Sequence, residues 1–252
     1  MKNYFISVCI ISHPKENMDK CLDSLKKQSY KNVEIVVQRE TGRYSELRNK
    51  IIQKAKGEII AFIDADCYAS TNWLEEINKT FQDKELLGFF GKVCYELHGK
   101  APSIATRIVS NDCEGKCTAN AAFRAKILKK VRFDEDFNTL EDWTLSWRLE
   151  KYGKIIYLND AVVFHTPQKW SIRKLIRHSR VIDDYILAEK KYGKKMPKRF
   201  GIHFPGQFAI VIFPFIIPII YPIRSAYDLR IAIGIYLEKL LSRYRLWKNG
   251  YL

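Results

Sequence analysis

Two acidic side chains follow an unbroken apolar segment in the first third of the chain. The five residues Ile59–Ile63 are followed at once by Asp64, Ala65 and Asp66. An apolar run of this length is typical of a strand buried on both faces of a parallel sheet, so both acids are expected at its carboxyl end. Open α/β sheets bind ligands at that edge. Hard oxygen donors there suit Mg²⁺ or Mn²⁺ beside a diphosphate, whereas the alternative is a pair of solvated loop acids.

Three further side chains later in the sequence are candidates for the same edge. Glu141 and Asp142 stand in the first turn of a predicted helix, where backbone N–H groups stabilise carboxylates. An ionised Asp142 facing a cleft would take a proton from an attacking hydroxyl, whereas the alternative is that both acids only serve the helix end. His165 ends a short apolar segment and is therefore either a metal ligand at the loop edge or an ordinary buried histidine.

The elements that must position these groups are predicted from apolar periodicity. In the first 66 residues strands alternate with helices, which predicts a parallel sheet with right-handed crossovers. The predicted strands are residues 6–12, 33–37 and 59–63, and the helices between them cover residues 18–25 and 47–55. After residue 66 the pattern predicts a helix (72–81), a strand (87–95) and a loop (96–117). A short helix ending near 130 and a helix from 138 follow. Two short strands (155–158 and 161–164) are predicted after them.

Composition limits the class of partner. The chain has 252 residues, 47% of them hydrophobic, and a formal net charge of +15, which predicts affinity for phospholipid, nucleic acid or nucleotide. Its six cysteines lack the close pairing of a zinc site, so we expect reduced thiols in a cytosolic protein. The first apolar segment is too short for a signal peptide and has no small-residue cleavage site.

Several short segments, in order along roughly residues 5–170, resemble family 2 glycosyltransferases of the GT-A fold. Each motif alone is weak, and the ordered set is specific. The matching segments are residues 6–12 with the helix after them, 47–49, 57–66, 118–124, 133–135, 141–149 with Gly153, and 163–165. The resemblance implies an α/β fold in which helices flank a Rossmann-like mixed sheet.

The resemblance also implies roles for individual residues. Asp64, Ala65 and Asp66 would form the Asp-X-Asp motif, which binds Mn²⁺ or Mg²⁺. His165 would be a further contact, either to this metal or to the phosphate. Asp142 would be the catalytic base. The other nucleotide-sugar contacts implied are Ser12 and His13 at the nucleoside, Thr118, Ala119 and Asn120 at the sugar, and Arg48 and Glu141 nearby. One departure concerns the acid that usually follows the second strand and recognises the base: Gln38 stands there, with Glu40 as a possible substitute.

The reaction implied is direct displacement at the anomeric carbon of a nucleotide-sugar donor, with inversion of configuration. A hydroxyl or phosphate of a saccharide or lipid-linked acceptor would attack while Asp142 removes its proton, and the metal would neutralise the leaving diphosphate. The sequence lacks the Gln-X-X-Arg-Trp motif of processive synthases, so we expect addition of a single sugar.

The remainder of the chain predicts a membrane-associated region. We place the glycosyltransferase domain in residues 1–168 and this region in 169–252. Residues 168–200 contain eleven Lys or Arg against three Asp or Glu, and residues 170–180 predict a basic amphipathic helix. Residues 204–223 carry no charge but four prolines, which favours a re-entrant or interfacial hairpin over a single crossing. Residues 231–245 predict another surface helix, so we expect the cytosolic face of an anionic membrane.

Two other classes of protein remain as alternatives. A metal-dependent phosphohydrolase with an aspartyl nucleophile also has Asp-X-Asp after an apolar strand, but normally after the first strand. A nucleic-acid binder is suggested only by the charge of +15, which is concentrated beside an apolar segment rather than spread among stacking aromatic residues. We therefore expect no nucleic-acid partner.

Overall fold

A computed structural model describes residues 1–95, 116–166, 171–193, 211, 214–217 and 223–251. The chain divides into two compact units. Unit 1 comprises Met1–Glu96 and Asp112–Thr166, and unit 2 comprises Leu97–Asn111 and Pro167–Leu252. The predicted loop (96–117) and the apolar segment (204–223) lie largely outside the described residues.

Unit 1 contains a seven-stranded sheet with the strand order β2-β1-β3-β6-β5-β7-β4. The strands are β1 (Ile6–Ser12), β2 (Val33–Arg39), β3 (Ile59–Ile63), β4 (Cys67–Ala69), β5 (Leu86–Tyr95), β6 (Asn120–Arg124) and β7 (Lys154–His165). β1 is parallel to both β2 and β3, as predicted for the first 66 residues. β6 runs antiparallel to β3 and β5, so the whole sheet is mixed.

Three strand assignments differ from the sequence prediction. Asn120–Arg124 was expected to lead directly into a helix, but it forms β6, because its small apolar side chains fit between β3 and β5. The two short strands expected after Gly153 are one strand, β7, of twelve residues. β4 has only three residues, too few to give a periodic signal, and it pairs with the end of β7.

Helices cover both faces of the sheet in unit 1. They are α1 (Asp19–Lys26), α2 (Tyr44–Lys54), α3 (Trp73–Thr80), α4 (Ala125–Val131) and α5 (Glu141–Leu149). All seven residues of β1 are buried, since alternate side chains enter separate apolar clusters. Val8 lies in a cluster with Trp73 of α3, and Cys9 lies in one with Ile51 of α2. Burying each large apolar side chain contributes roughly 1.5–3 kcal/mol, which fixes the strand ends that hold the site.

Unit 2 consists, in its described part, of three α-helices and a short 3₁₀ turn. The helices are α6 (Ile172–His178), α7 (Val181–Tyr192) and α8 (Ala226–Lys248). Leu175 of α6 packs against Ile231 and Ile235 of α8. Gly234 allows this close approach, because a Cβ there would lie 2.6 Å from Leu175 Cδ1. Among the described residues, no helix is both long and apolar enough to cross a membrane.

The described cysteines are free thiols. Cys9, Cys21 and Cys67 are buried, and Cys94 and Cys117 are half-buried. Burial raises the pKa of Cys21 to about 12 and that of Cys9 further above its usual range. The buried thiols therefore behave as small apolar groups in the core.

Candidate active site

The sheet brings the predicted site residues to one edge. Asp64 and Asp66 follow the end of β3, where Ile63 is paired with Asn120 at the start of β6. His165, the last residue of β7, is paired with Cys67. Asp66 and His165, about one hundred positions apart in the sequence, thus meet because the end of β7 lies beside the start of its antiparallel neighbour β4.

Asp142 is held by both of its carboxylate oxygens. The Thr118 backbone N–H donates to Oδ2 at 3.0 Å, and the Thr118 hydroxyl donates to Oδ1 at 3.0 Å. Thr118 is buried, whereas the Asp142 side chain keeps 17% of its surface exposed. The carboxylate is therefore fixed in orientation and still accessible, as a general base requires.

Arg48 of α2 connects three of the predicted acids. Its Nη1 donates to Glu141 Oε1 at 2.6 Å and lies 3.6 Å from Asp142 Oδ1. Its Nη2 lies 3.8 Å from Asp64 Oδ1. The guanidinium is buried, and the neighbouring carboxylates raise the pKa of Arg48 above its usual range despite the opposing effect of burial. One permanent cation therefore lies among three acids and offsets only part of their charge.

Two of the carboxylates around Arg48 have raised pKa values. Burial, with the charges of Asp66 and Asp142, raises the pKa of Asp64 to about 6. Burial, with the charge of Asp142, raises the pKa of Glu141 to about 7. Within the described structure the second oxygen of Glu141, Oε2, is buried without a hydrogen-bond partner. The site therefore holds more negative charge than Arg48 neutralises, which favours binding of an additional cation.

Asp66 and His165 form the best candidate for that cation site. His165 Nε2 lies 3.4 Å from Asp66 Oδ1. His165 Nδ1 lies 2.7 Å from the Thr166 carbonyl oxygen, which can only accept, so Nδ1 carries the proton. The Thr166 hydroxyl and backbone N–H both donate to the Asp66 carbonyl, which ties the two strand ends together. This outer arrangement leaves Nε2 directed toward Asp66, as for a metal-ligating histidine.

Cys67 completes a compact group of potential ligands with Asp66 and His165, whose ligand atoms lie within 4.8 Å of one another. Cys67 was not predicted as a site residue. Burial raises the pKa of its thiol far above the usual range, so the thiol is protonated in the metal-free protein. Asp64, predicted as a ligand, lies outside this group and beside Arg48, so Asp66 and His165 are the stronger pair.

The residues predicted near the sugar are mostly structural. Ala65, Ala119 and Asn120 are buried. The Asn120 side-chain amide donates to the Lys92 and Ala161 carbonyls, and its oxygen accepts from Trp73 Nε1. Gly91 gives it room, because a Cβ there would approach the amide nitrogen to 2.5 Å. These hydrogen bonds tie β6 to β5 and β7, and the place of Asn120 near the sugar stays a prediction.

The predicted nucleoside contacts lie at the ends of β1 and β2. The Ser12 hydroxyl donates to Glu16 Oε2, the Glu40 backbone N–H donates to the Ser12 carbonyl, and His13 is exposed. Gln38 and Glu40 bond to each other and line a pocket of about 750 Å³. Its other lining residues are Glu46, Asn49, Lys50, Gln53, Lys54, Arg132 and Glu135. The acids around Arg48 do not line this pocket.

Tyr44 is a candidate site residue that the sequence prediction did not include. Its exposed ring lies 5.6 Å from the Arg48 guanidinium, and the charge of Asp64 acts on its hydroxyl. An exposed aromatic ring at the edge of an acidic cleft suits the stacking of a planar base. The only signal in the sequence is that Tyr44 stands four residues before Arg48, which places both on the same face of a helix.

Comparison with known proteins gives a family match over part of the chain. Residues 36–132 match the family model described as glycosyl transferase family 2. The match includes Arg48, Asp64, Asp66 and Thr118, while Asp142 and His165 lie beyond it. No curated protein matches the chain as a whole. The predicted resemblance to family 2 glycosyltransferases is thereby confirmed, and neither alternative class receives support.

Solved structures support the fold. Mannosyltransferase PcManGT from Pyrobaculum calidifontis, solved with GDP-Man and Mn²⁺, is 15% identical, with a TM-score of 0.62 over 98% of this chain and 88% of that one. S. aureus TarS 1-349, solved with UDP-GlcNAc, is also 15% identical, with a TM-score of 0.53 over 97% of this chain and 92% of that one. At this identity the likeness establishes the fold and no more.

Proposed function

We propose that this chain is a glycosyltransferase of family 2 that transfers one sugar from a nucleotide-diphosphate donor to an acceptor hydroxyl or phosphate with inversion of configuration. The observation that carries the proposal is the position of Asp142. Its carboxylate is oriented by Thr118 on one side and lies 3.6 Å from Arg48 on the other, at the same edge of the sheet as Asp64 and Asp66. A fixed base beside a candidate diphosphate site suits direct attack by the acceptor.

Asp142 would accept the proton of the attacking hydroxyl. The two hydrogen bonds from Thr118 hold its carboxylate plane, so that proton transfer needs no reorientation of the side chain. Cys67 is a potential nucleophile beside the site, but its buried thiol stays protonated because burial raises its pKa. One displacement without a covalent intermediate inverts the anomeric centre.

Arg48 would organise the donor side of the site. Glu141 holds Nη1, which leaves Nη2 directed toward Asp64. Asp66 and His165 would hold Mn²⁺ or Mg²⁺, and Mn²⁺ suits a mixed oxygen and imidazole donor set. When bound, such an ion supplies Lewis-acid stabilisation of the charge on the leaving diphosphate. Tyr44 would offer its exposed ring to the nucleoside base.

The acceptor would be a saccharide or a lipid-linked molecule at the cytosolic face of a membrane. Support comes from the charge of unit 2, in which residues 171–193 and 223–251 contain twelve Lys or Arg against five Asp or Glu. A basic surface of this kind is attracted to anionic phospholipid. PcManGT and TarS bind different sugars and bases, so we leave the donor to experiment.

The test is nucleotide release from UDP-, GDP-, CDP- and dTDP-sugars, with Mn²⁺ or Mg²⁺ and a lipid extract as acceptor source. We expect release from one class of donor, reduced about 10²–10⁴-fold in Asp142→Asn and lost in Asp66→Ala. Glu150→Gln, which removes an exposed carboxylate just after α5, is the matched control and should retain activity. Full release from Asp142→Asn would overturn the assignment of the base. Failure of metal-dependent nucleotide binding in the wild-type protein would overturn the site itself.

A further inference from the structure

Helix α8 has two apolar faces, and only one of them is used inside unit 2. The inner face is buried against α6 and α7, and it contains Ile231, Ile235 and Leu246. The opposite face is exposed along most of the helix. Its large apolar residues are Leu229, Ile233, Leu240, Tyr244 and Trp247.

The spacing of the exposed residues defines a single stripe. Their separations of four, seven, four and three positions keep them on one side of an α-helix with 3.6 residues per turn. The stripe extends over about 27 Å at 1.5 Å per residue. Trp247 is 64% exposed and Ile233 is 46% exposed, so these are side chains in solvent rather than at a crevice. A continuous apolar stripe of this length on a solvent-exposed surface indicates an interaction site.

Polar bonds fix which side of α8 faces outward. Glu238, on the buried side, lies 3.8 Å from His178 of α6, and Arg245 forms an ion pair with Asp183 of α7. The Ser225 hydroxyl accepts a hydrogen bond from Asp228 N and caps the amino end of the helix. Because α8 is held by α6 and α7 along this side, rotation to bury the stripe would break the contacts of Glu238 and Arg245.

Basic side chains border the stripe. Arg230 and Lys248 are exposed at opposite ends of α8, and within the described part of the chain neither has an acidic partner. Tyr244 and Trp247 adjoin each other at the carboxyl end, with ring centroids 6.0 Å apart. Aliphatic and aromatic groups between cationic flanks match the headgroup region of an anionic bilayer.

We infer that the outward face of α8 is a docking surface for an anionic phospholipid bilayer, on which the helix lies in the plane of the membrane. A second copy of the chain is a poorer occupant, because a two-fold pairing of stripes would bring Arg230 and Lys248 near like charges. The docking surface extends the proposed function, in which the enzyme works at a membrane, by naming the residues that make the contact.

The experiment is co-sedimentation of the full chain with vesicles of phosphatidylcholine alone or with about one-third phosphatidylglycerol. We expect binding to the anionic vesicles and about tenfold weaker binding for Ile233→Gln/Leu240→Gln. Ile35→Gln, which alters an isoleucine of similar exposure in unit 1, is the matched control. Arg230→Gln/Lys248→Gln should weaken binding and reduce its salt dependence, whereas Lys84→Gln should not.

Two outcomes would overturn the docking surface. One is equal vesicle binding by the Ile233→Gln/Leu240→Gln variant and the Ile35→Gln control. The other is a dimer in light scattering that the same double variant dissociates, which would assign the stripe to a second copy. Nucleotide-sugar binding, measured on each variant without lipid, separates this inference from the proposed function. Loss of vesicle binding with donor binding retained concerns α8 alone, and the reverse concerns only the active site.

Discussion

Thr118 holds both oxygens of the Asp142 carboxylate, one through its backbone N–H and the other through its hydroxyl, each at 3.0 Å. The two residues come from different elements: Thr118 precedes β6, and Asp142 lies in the first turn of α5. β6 lies in the centre of the sheet, so Thr118 has a fixed position, and its hydrogen bonds hold the proposed base in a fixed position relative to the sheet. The orientation of Asp142 therefore depends on the sheet as well as on its own helix.

Replacing Thr118 with Val should impair the chemical step while leaving donor binding intact. The variant keeps the backbone N–H bond and the volume of the side chain but loses the hydroxyl bond, so the carboxylate gains freedom to rotate. We expect kcat to fall about tenfold with little change in the donor KM. Thr118→Ser should restore most of the activity, and Thr71→Val, at an exposed threonine, should have no effect. A fall in donor affinity with unchanged kcat would contradict the positioning role.

Replacing Arg48 with Met should destabilise unit 1. Arg48 is buried among Glu141, Asp142 and Asp64, and its loss leaves these acids facing one another without a cation. Breaking a buried ion pair from one side typically costs about 3–5 kcal/mol. Urea denaturation at pH 7.5 would measure the change in the free energy of unfolding.

The control for Arg48 is Arg43→Met, at the start of the same helix. Arg43 is exposed and its pairing with Glu46 is at the surface, so its replacement should cost less than about 1 kcal/mol. The double variant Arg48→Met/Glu141→Leu should recover part of the lost stability, because it also removes the buried acid. Equal stability of Arg48→Met and Arg43→Met would show that the carboxylates do not depend on Arg48.

The sequence predicted the part of the fold that rests on regular patterns. β1, β2 and β3 and the helices between them follow from apolar periodicity, and their parallel pairing follows from the alternation of strand and helix. β4 and β6 did not follow, because three residues or a run of small side chains carry little periodic signal. Their places are decided by neighbouring strands, which is information from tertiary structure.

The candidate site shows the same division. Asp64 and Asp66 were found because they end an apolar strand, and Asp142 was found by family resemblance. The engagement of Asn120 by Trp73, Lys92 and Ala161, and the position of Cys67 beside Asp66, depend on contacts across β5, β6 and β7. Tyr44 was missed because one exposed tyrosine in a helix has no distinguishing pattern.

Metal binding should depend on His165 and Asp66 but little on Cys67. We expect His165→Gln to weaken Mn²⁺ binding by more than about tenfold, since a ligand is lost. Cys67→Ala should change the affinity by less than about threefold, because its buried neutral thiol is not used as a ligand. Titration followed by the electron paramagnetic resonance signal of free Mn²⁺ would measure both.

The histidine control for the metal site is His178→Gln in unit 2, where the ring is about half exposed and lies near Glu238. This variant should bind Mn²⁺ as the wild-type protein does. Loss of Mn²⁺ binding in Cys67→Ala, with retention in His165→Gln, would move the site toward the thiol and would favour a softer metal such as zinc.

The raised pKa of Glu141 predicts a pH-dependent stability. The free residue titrates near 4.5, whereas in the folded chain burial and Asp142 raise its pKa to about 7. Between these values the folded state binds the proton and the unfolded state does not, so Glu141 makes the protein less stable as the pH rises from about 4.5 to 7. Above pH 7 both states are ionised and the contribution is constant.

Glu141→Gln isolates that contribution, because glutamine keeps the shape of the protonated acid without its titration. In EDTA, the free energy of unfolding of the wild-type protein minus that of Glu141→Gln should fall by about 3 kcal/mol between pH 4.5 and 7.5. The corresponding difference for Glu150→Gln, at an exposed carboxylate, should stay nearly flat. A difference for Glu141→Gln that rises with pH would mean that the ion pair with Arg48 outweighs burial and that Glu141 is ionised throughout this range.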